Sequence, residues 1–534
     1  MLTLESYPTL SREDILNRLS SRFKGSVSSL KGLPDPNSFK GMAKATSRII
    51  EAIEAKERIV VVGDYDVDGV VSTAVMRIFF EAIDYPIEWV IPNRFRDGYG
   101  ISLSLLERVK DADLIITVDN GISANEAISE CKSLGIDVII TDHHIVPENP
   151  PDAFATINQK QPDCSFPFDE VCGAQIAWYL CASIRRALGL KLNMKKLLEI
   201  VSLAIIADIM PLLEINRVMV KSGLEILSSS QSPFILAYKE MRDIERLSAE
   251  DVAFGLAPVI NSAGRVDDAK IACNYLCSKN LPEAREYLRL LNDFNQRRKE
   301  LETLITQEAK SRVDESQEII VAYGEDWSEG VVGIVASRVS REFKKPSIIL
   351  TKKGNLYKGS GRSFGECNLF EAVNSQRELL VGFGGHSKAI GLAVDKSNLE
   401  SFIANLQTSA KTICPKELYQ DPAIFGELSI DEVDDELFYM IEQFEPFGHA
   451  NRRPKFISRG ILVESLKLLG DGTHAKYTLK RTNQPPIEAI EFRINRYFEA
   501  GSRVDILYTI GENIFNGNRK LQLIIEEIDE TIIS

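Results

Sequence analysis

The stretch "IVVVGDYDVDGVVSTAVM", residues 59–76, constrains the fold more than any other. An unbroken run of apolar β-branched residues, then Asp64, Asp66 and Asp68 at alternate positions, then an apolar helical pattern, describes a strand buried on both faces that leads through an acidic turn into a helix. Such strands occur in parallel sheets covered by helices. The rhythm repeats: "IEWVIPN", "DLIITVDNG" and "IDVIITDHH" are strand-like and are separated by helical stretches such as "VVSTAVMRIFFEAI" and "SANEAISECKSLG". The expectation is an α/β domain with a parallel, doubly wound sheet.

Ligands of such sheets bind beyond the carboxyl ends of the strands. Four of these ends carry polar groups: Asp64/Asp66/Asp68, Asn93/Arg94, Asp119/Asn120 and Asp142/His143/His144. Carboxylates gathered on one rim repel one another unless cations neutralise them, and oxygen ligands with one or two imidazoles suit Mn²⁺ or Mg²⁺ better than a thiolate zinc site. A calcium loop is excluded, because its twelfth position is Val75 and a strand stands where a helix is needed. Each residue also has a plain structural alternative. Asp119 after a strand is commonly a cap, with Ser123 of "TVDNGIS" as helix N-cap. Asp208, in the apolar "AIIADIMPL", is either a capping residue or a buried ligand.

After residue 173 the pattern turns helical. Residues 282–315 place Leu288, Leu291, Phe294, Leu301, Leu304 and Ile305 at helical intervals, as in a connector between domains. A second α/β pattern begins at "EIIVAYGEDW", and the tail alternates like a small β-barrel. The expected division is a helical preface (1–50), the first α/β domain (51–281), the connector helix (282–315), a second α/β domain (316–412), a linking α/β segment (413–454) and the barrel (455–534).

With Lys+Arg 63 against Asp+Glu 77, the net charge of −14 excludes a protein that coats nucleic acid through bulk positive charge, so such a partner needs a local basic channel. Clusters in "NRRPK" and "KKGNLYKG" are candidates, and solvated faces are the alternative. The eight cysteines are scattered without metal or redox spacing and read as reduced core residues. Neither a membrane span nor a signal peptide is recognisable, so a cytoplasmic protein is expected.

Taken in order, "GDYDVDG", "TVDNGIS", "TDHH" and "ADIMPL" resemble the four motifs of the DHH phosphoesterase family. "PNRFRDGYGIS", "PVINSAGRVDDA", "LNDFNQRRKELE", "EGVVGIVASRV", "KGSGRS", "GFGGHSKAIG" and "FEPFGHANRRPKF" are similar to its RecJ branch, single-stranded-DNA-specific exonucleases working 5′ to 3′. The resemblance extends over nearly all of residues 20–534. It implies a DHH domain, a DHH-associated (DHHA1) domain and a C-terminal OB-fold. Asp64, Asp66, Asp68, Asp119, His143 and Asp208 match metal-site residues, with Asp119 between two ions. His144 matches a histidine directed at the substrate phosphate, and Asp142 would orient its neighbours. The implied chemistry is two-metal hydrolysis with Mn²⁺ or Mg²⁺, releasing 5′-mononucleotides in DNA repair and recombination.

By the same resemblance Arg94 and Arg265 help to form a 5′-phosphate pocket. Arg362, with Ser360 and Ser363, lies in a Gly-rich segment read as a turn able to bind phosphate, an empty tight bend being the alternative. Gly385 and His386 match the family's substrate-binding motif. In the tail, Tyr477, Phe492, Tyr497, Tyr508 and Phe515 are either stacking platforms for bases or core. Ala450 and Arg452 stand where the family pattern has Gly and Pro, so the turn leading into the barrel is expected to differ. The chain ends without the further C-terminal domain of longer RecJ proteins, and contacts of that domain are not expected. Expected partners are single-stranded DNA, a helicase and single-strand-binding protein, with the chain a monomer. The competing readings are a phosphodiesterase acting on RNA or short oligonucleotides, and a non-catalytic scaffold that binds single strands.

Overall fold

The computed structural model describes residues 7–414, 421–515 and 518–531. The chain forms two compact units, Pro34–Asp208 with Ser222–Tyr419, and Met1–Leu33 with Ile209–Lys221 and Gln420–Ser534.

In the larger unit, β1 (Ile59–Val62), β2 (Glu88–Val90), β3 (Leu114–Val118), β4 (Asp137–Thr141) and β5 (Ala155–Ile157) make a parallel sheet in the order β2-β1-β3-β4-β5. Every residue of β1 and β3 is buried, as their unbroken apolar runs require. The strand order reverses between β1 and β3, and the crevice outside their carboxyl ends is the expected ligand position. The long apolar repeat forms one helix, Leu281–Ser311, capped by the Asn280 side chain and burying Leu288, Leu291 and Ile305. Beyond it, β6 (Ile320–Glu325), β7 (Ser347–Lys353), β8 (Leu356–Arg362), β9 (Leu380–His386) and β10 (Ala389–Asp395) form a mixed sheet in the order β6-β7-β8-β10-β9. "KGSGRS" is therefore the end of a central strand and not a turn. Its glycines serve sheet packing, since a Cβ on Gly359 would lie 1.9 Å from the Ile349 carbonyl oxygen.

In the smaller unit, β11 (Ile424–Glu427) flanks β12 (Lys455–Leu469), β13 (His474–Leu479), β14 (Ile487–Phe492), β15 (Arg503–Phe515) and β16 (Asn518–Glu530). The order β11-β12-β13-β14-β16-β15, with β12 also paired to β15, closes a five-stranded barrel. The segment expected as a preface through residue 50 is shared between the units. Ile15 and Leu19 join the barrel's core, whereas the helix Met42–Ala55 belongs to the larger unit. Tyr477 and Tyr508 are core residues and cannot stack on bases; Phe492 and Tyr497 are exposed, and the side chain of Phe515 lies outside the described residues. Arg452, Arg453 and Lys455 of "NRRPK" all bind acidic side chains, Asp421, Glu442, Glu445 and Glu526, so they do not form a free basic channel.

The cysteines depart from expectation at one pair. The segment after β8 and the end of the helix Leu399–Ile413 converge, bringing the Cα atoms of Cys367 and Cys414 to 4.2 Å, and the two form a disulfide. Among the described residues no helix is long and apolar enough to cross a membrane.

Candidate metal centre

Asp64 follows β1 after one residue, Gly63. Asp66 caps the helix Val67–Ala82, accepting the Gly69 N–H at 3.1 Å, and Asp68 lies in its first turn. The chain thus turns into the helix at Asp66. Gly69 is already helical and is needed for close approach, since a Cβ there would lie 2.6 Å from the Asp64 Cα. Asp68 accepts the N–H groups of Gly173 and Ala174 at 2.6 and 2.8 Å, at the N-terminus of the helix Gly173–Ala187. Asp119 directly follows β3 with φ 62°, a left-handed conformation that costs a non-glycine residue about 1 kcal/mol or more. It caps no helix. The next helix begins at Asn125, and Ser123 is not its N-cap either. Buried Asn120 holds this corner, donating to the carbonyls of Val62 and Val118 and accepting the Ile101 N–H.

His143 Nε2 lies 3.2 Å from Asp119 and 3.7 Å from both Asp68 and Asp208. His144 Nδ1 meets Asp142 at 2.7 Å, and the other oxygen of Asp142 accepts the Ile122 N–H. Three sets of potential ligand atoms, each within 4.8 Å of one another, result: Asp64/Asp66/Asp119, Asp68/His143/Asp208 and Asp119/His143/His144. Asp119 and His143 each belong to two of them.

Burial, reinforced by neighbouring carboxylates, pushes Asp64, Asp119 and Asp208 well above the usual carboxylate range and Asp68 up to about 6. Burial pulls His143 down to about 3, leaving a neutral imidazole. It also opposes the charge on His144, but the hydrogen bond to Asp142 and the surrounding carboxylates outweigh it and raise His144 to about 9. Asp64 Oδ1, Asp119 Oδ1 and Asp208 Oδ2 are buried without a hydrogen-bond partner. Orphaned carboxylate oxygens around a neutral imidazole form the donor set of a hard divalent cation, and Mn²⁺ or Mg²⁺ fits it.

Of the predicted substrate residues, Arg94 interacts electrostatically with Asp64 and His386 with His144. Arg94 stacks on the Tyr65 ring at 4.0 Å and donates to the Gly264 carbonyl. Arg265 donates to the Gly330 carbonyl, and burial followed by repulsion from Arg94 pulls it down to about 10. Arg298 and Arg362 also repel it, so four guanidinium groups converge. Arg362 and His386 share one row of the second sheet, with Ala389 between them; Ser360 lies two rows along, opposite Gly391. Ser363 turns its hydroxyl to the Cys367 carbonyl. Gly385 has φ 135° and abuts the Ala389 carbonyl, so its requirement is conformational.

The sequence reading missed Tyr65, Tyr99, Lys160, Gly173 and Arg298. Tyr99 donates to the Asp119 carbonyl at 3.2 Å and packs edge-on against His144 and Tyr65. It stands in "PNRFRDGYGIS", where an aromatic residue between two glycines was the available signal.

Known proteins share this architecture. The models of the DHH family N-terminal domain, the DHHA1 domain and the RecJ OB domain match residues 58–205, 316–412 and 424–527. The single-stranded-DNA-specific exonuclease RecJ of Salmonella typhimurium is 34% identical over 533 residues, covering 94% of this chain and 92% of the relative. RecJ of Thermus thermophilus in complex with Mn²⁺ superposes with a TM-score of 0.83 at 25% identity, covering 99% of this chain and 80% of that one. Its Mg²⁺ complex gives 0.77 at 25% identity, covering 100% and 76%. The chain belongs to the RecJ family of DHH phosphoesterases.

Proposed function

We propose that the chain is a metal-dependent exonuclease that hydrolyses single-stranded DNA from the 5′ end, releasing 5′-mononucleotides in DNA repair and recombination. The observation that carries this reading is the set of buried, orphaned carboxylate oxygens of Asp64, Asp119 and Asp208 around neutral His143. Asp64, Asp66 and Asp119 would hold one ion and Asp68, His143 and Asp208 a second, with Asp119 between them. Bound divalent ions supply an acidified water and neutralise charge on the phosphate and on the leaving 3′ oxygen.

The protein's own groups do the rest. Asp142 fixes His144 as a cationic donor for a phosphate oxygen. Arg94, Arg265 and Arg362 form a pocket whose mutual repulsion a terminal phosphate relieves, and this fixes the 5′ end. The barrel supports single-strand binding, with Phe492 and Tyr497 as exposed rings. A nuclease of this kind needs unwound strands, so a helicase and single-strand-binding protein are its proposed partners, and it would act as a cytoplasmic monomer.

The test is digestion of 5′- and 3′-labelled single strands, DNA and RNA, with Mn²⁺ or Mg²⁺, by wild type and Asp119→Ala. DNA should lose its 5′ label first as mononucleotide, and the variant should lose at least about 100-fold in rate. Undiminished cleavage by the variant would overturn the metal assignment, and release first from the 3′ label would overturn the polarity.

A further inference from the structure

Cations flank the carboxylate cluster on two sides, and the 5′-end pocket uses only one of them. The charges of Arg94 and Arg265 act at the Asp64–Asp66 end, on Asp64 and Tyr65. The charge of Lys160 acts at the other end, on His143 and Asp208, and also on His386 of β9. Lys160 follows β5 in a segment tied to the histidine pair. Buried Asn158 donates Nδ2 to the His144 carbonyl at 2.9 Å, and its Oδ1 accepts the Lys160 N–H at 2.8 Å. The Lys160 ammonium, half-buried, has no ion-pair partner among the described residues.

A lysine whose backbone is anchored and whose ammonium has no counter-ion, beside carboxylates that cations will neutralise, is a ready phosphate contact. The facing wall leaves room for a strand. No atom lies within 4 Å of a Cβ built on Gly384 or Gly391, so the second sheet presents bare backbone beside the row that carries Arg362 and His386.

We propose that Lys160 contacts the phosphate on the 3′ side of the scissile linkage, so that the strand runs from the arginine pocket across the carboxylates to Lys160. The proposal rests on the exonuclease reading above and adds the substrate's downstream register. Lys160 then senses whether a further phosphate follows the bond being cut, which favours polymers over dinucleotides.

The test compares pdTpdT, which has no phosphate beyond the scissile one, with pdTpdTpdT, using wild type, Lys160→Ala and Lys160→Arg with Mn²⁺. Losing one charge-assisted contact should lower kcat/KM about tenfold more on the trinucleotide than on the dinucleotide, chiefly through KM, with Arg restoring most of it. On long strands the slope of log affinity against log salt should shrink by about 0.7. A neutral methylphosphonate at the second linkage should cost wild type the same tenfold and cost Lys160→Ala nothing further. Matching melting temperatures exclude misfolding as the cause. Equal losses on both oligonucleotides, no loss on either, or a full methylphosphonate penalty in Lys160→Ala would each overturn the proposal. Wild type that digests long single strands but cuts neither oligonucleotide overturns the proposal and leaves the exonuclease reading standing; wild type that digests neither overturns that reading.

Discussion

A Cβ atom added to Gly173 would stand 2.6 Å from the Cβ of Asp119. The helix Gly173–Ala187 can therefore begin against the strand end only because residue 173 lacks a side chain, and its first N–H groups then reach Asp68. Gly173→Ala should push Asp119 or the helix start aside by several tenths of an ångström or more. We expect cleavage to fall about 100-fold while the far-ultraviolet circular dichroism is unchanged. Wild-type rates in a folded Gly173→Ala protein would show that the close approach is not needed.

Asp97 organises the loop that carries Arg94 and Tyr99. Nearly buried, it accepts hydrogen bonds from Arg96, Arg108 and the Asn93 N–H. The hydrogen bond from Arg96, against the opposing effect of burial, holds its carboxyl at about 2. Because the folded value lies below the unfolded one, its contribution is complete above about pH 4 and disappears as pH falls through about 2. Arg96 is largely exposed, so solvent screening weakens its share of that contribution. Asp97→Asn should lower the urea midpoint at pH 7, and the gap to wild type should narrow between pH 4 and pH 3. A gap that widens on acidification would contradict the assignment.

The carboxylate rim was legible because a parallel sheet puts its ligands at strand ends, and Asp64, Asp119 and His143 stand at such ends in plain sequence order. Asp208 was legible through the cost of an acid in an apolar helix. Gly173 was not, since "VCGAQIAW" reads as an ordinary helix start and its requirement comes from Asp119, 54 residues earlier. Lys160 was hidden for a similar reason: a lysine in a polar loop carries no local signal, and its meaning comes from the tie through Asn158 to the His144 carbonyl. The glycines of "KGSGRS" misled because sheet packing and tight turns demand the same residue.

Ala450 has φ 60°, a left-handed position where the family pattern has glycine. Its neighbour Asn451 is wholly buried and donates to the carbonyls of Phe444 and Pro446, both at 2.9 Å, so the turn cannot relax around the alanine. Left-handed alanine costs about 1–2 kcal/mol, and glycine's extra unfolded-state entropy returns about half of that. Ala450→Gly should therefore stabilise the smaller unit by about 0.5–1 kcal/mol, a rise in Tm of about 2 °C, without changing activity. A lower Tm would mean that the alanine methyl makes compensating contacts.

Asp208 exposes the conflict between stability and function most directly. Burial, with Asp68 and Asp66 nearby, makes its charge costly, and its Oδ2 has no hydrogen-bond partner. Without metal, Asp208→Asn removes a repelling carboxylate and keeps the shape, so the chelator-treated variant should melt at or above the temperature of chelator-treated wild type. Mn²⁺ at about 100 times its dissociation constant should stabilise wild type by about 2.7 kcal/mol. The variant should gain much less, reversing the order of the two Tm values once metal is added, and its cleavage should fall at least about 100-fold. Calorimetric scans of both proteins with EDTA and with Mn²⁺ would decide the matter. A variant less stable than wild type in EDTA but equally stabilised by Mn²⁺ would make Asp208 a structural cap and remove it from the metal centre.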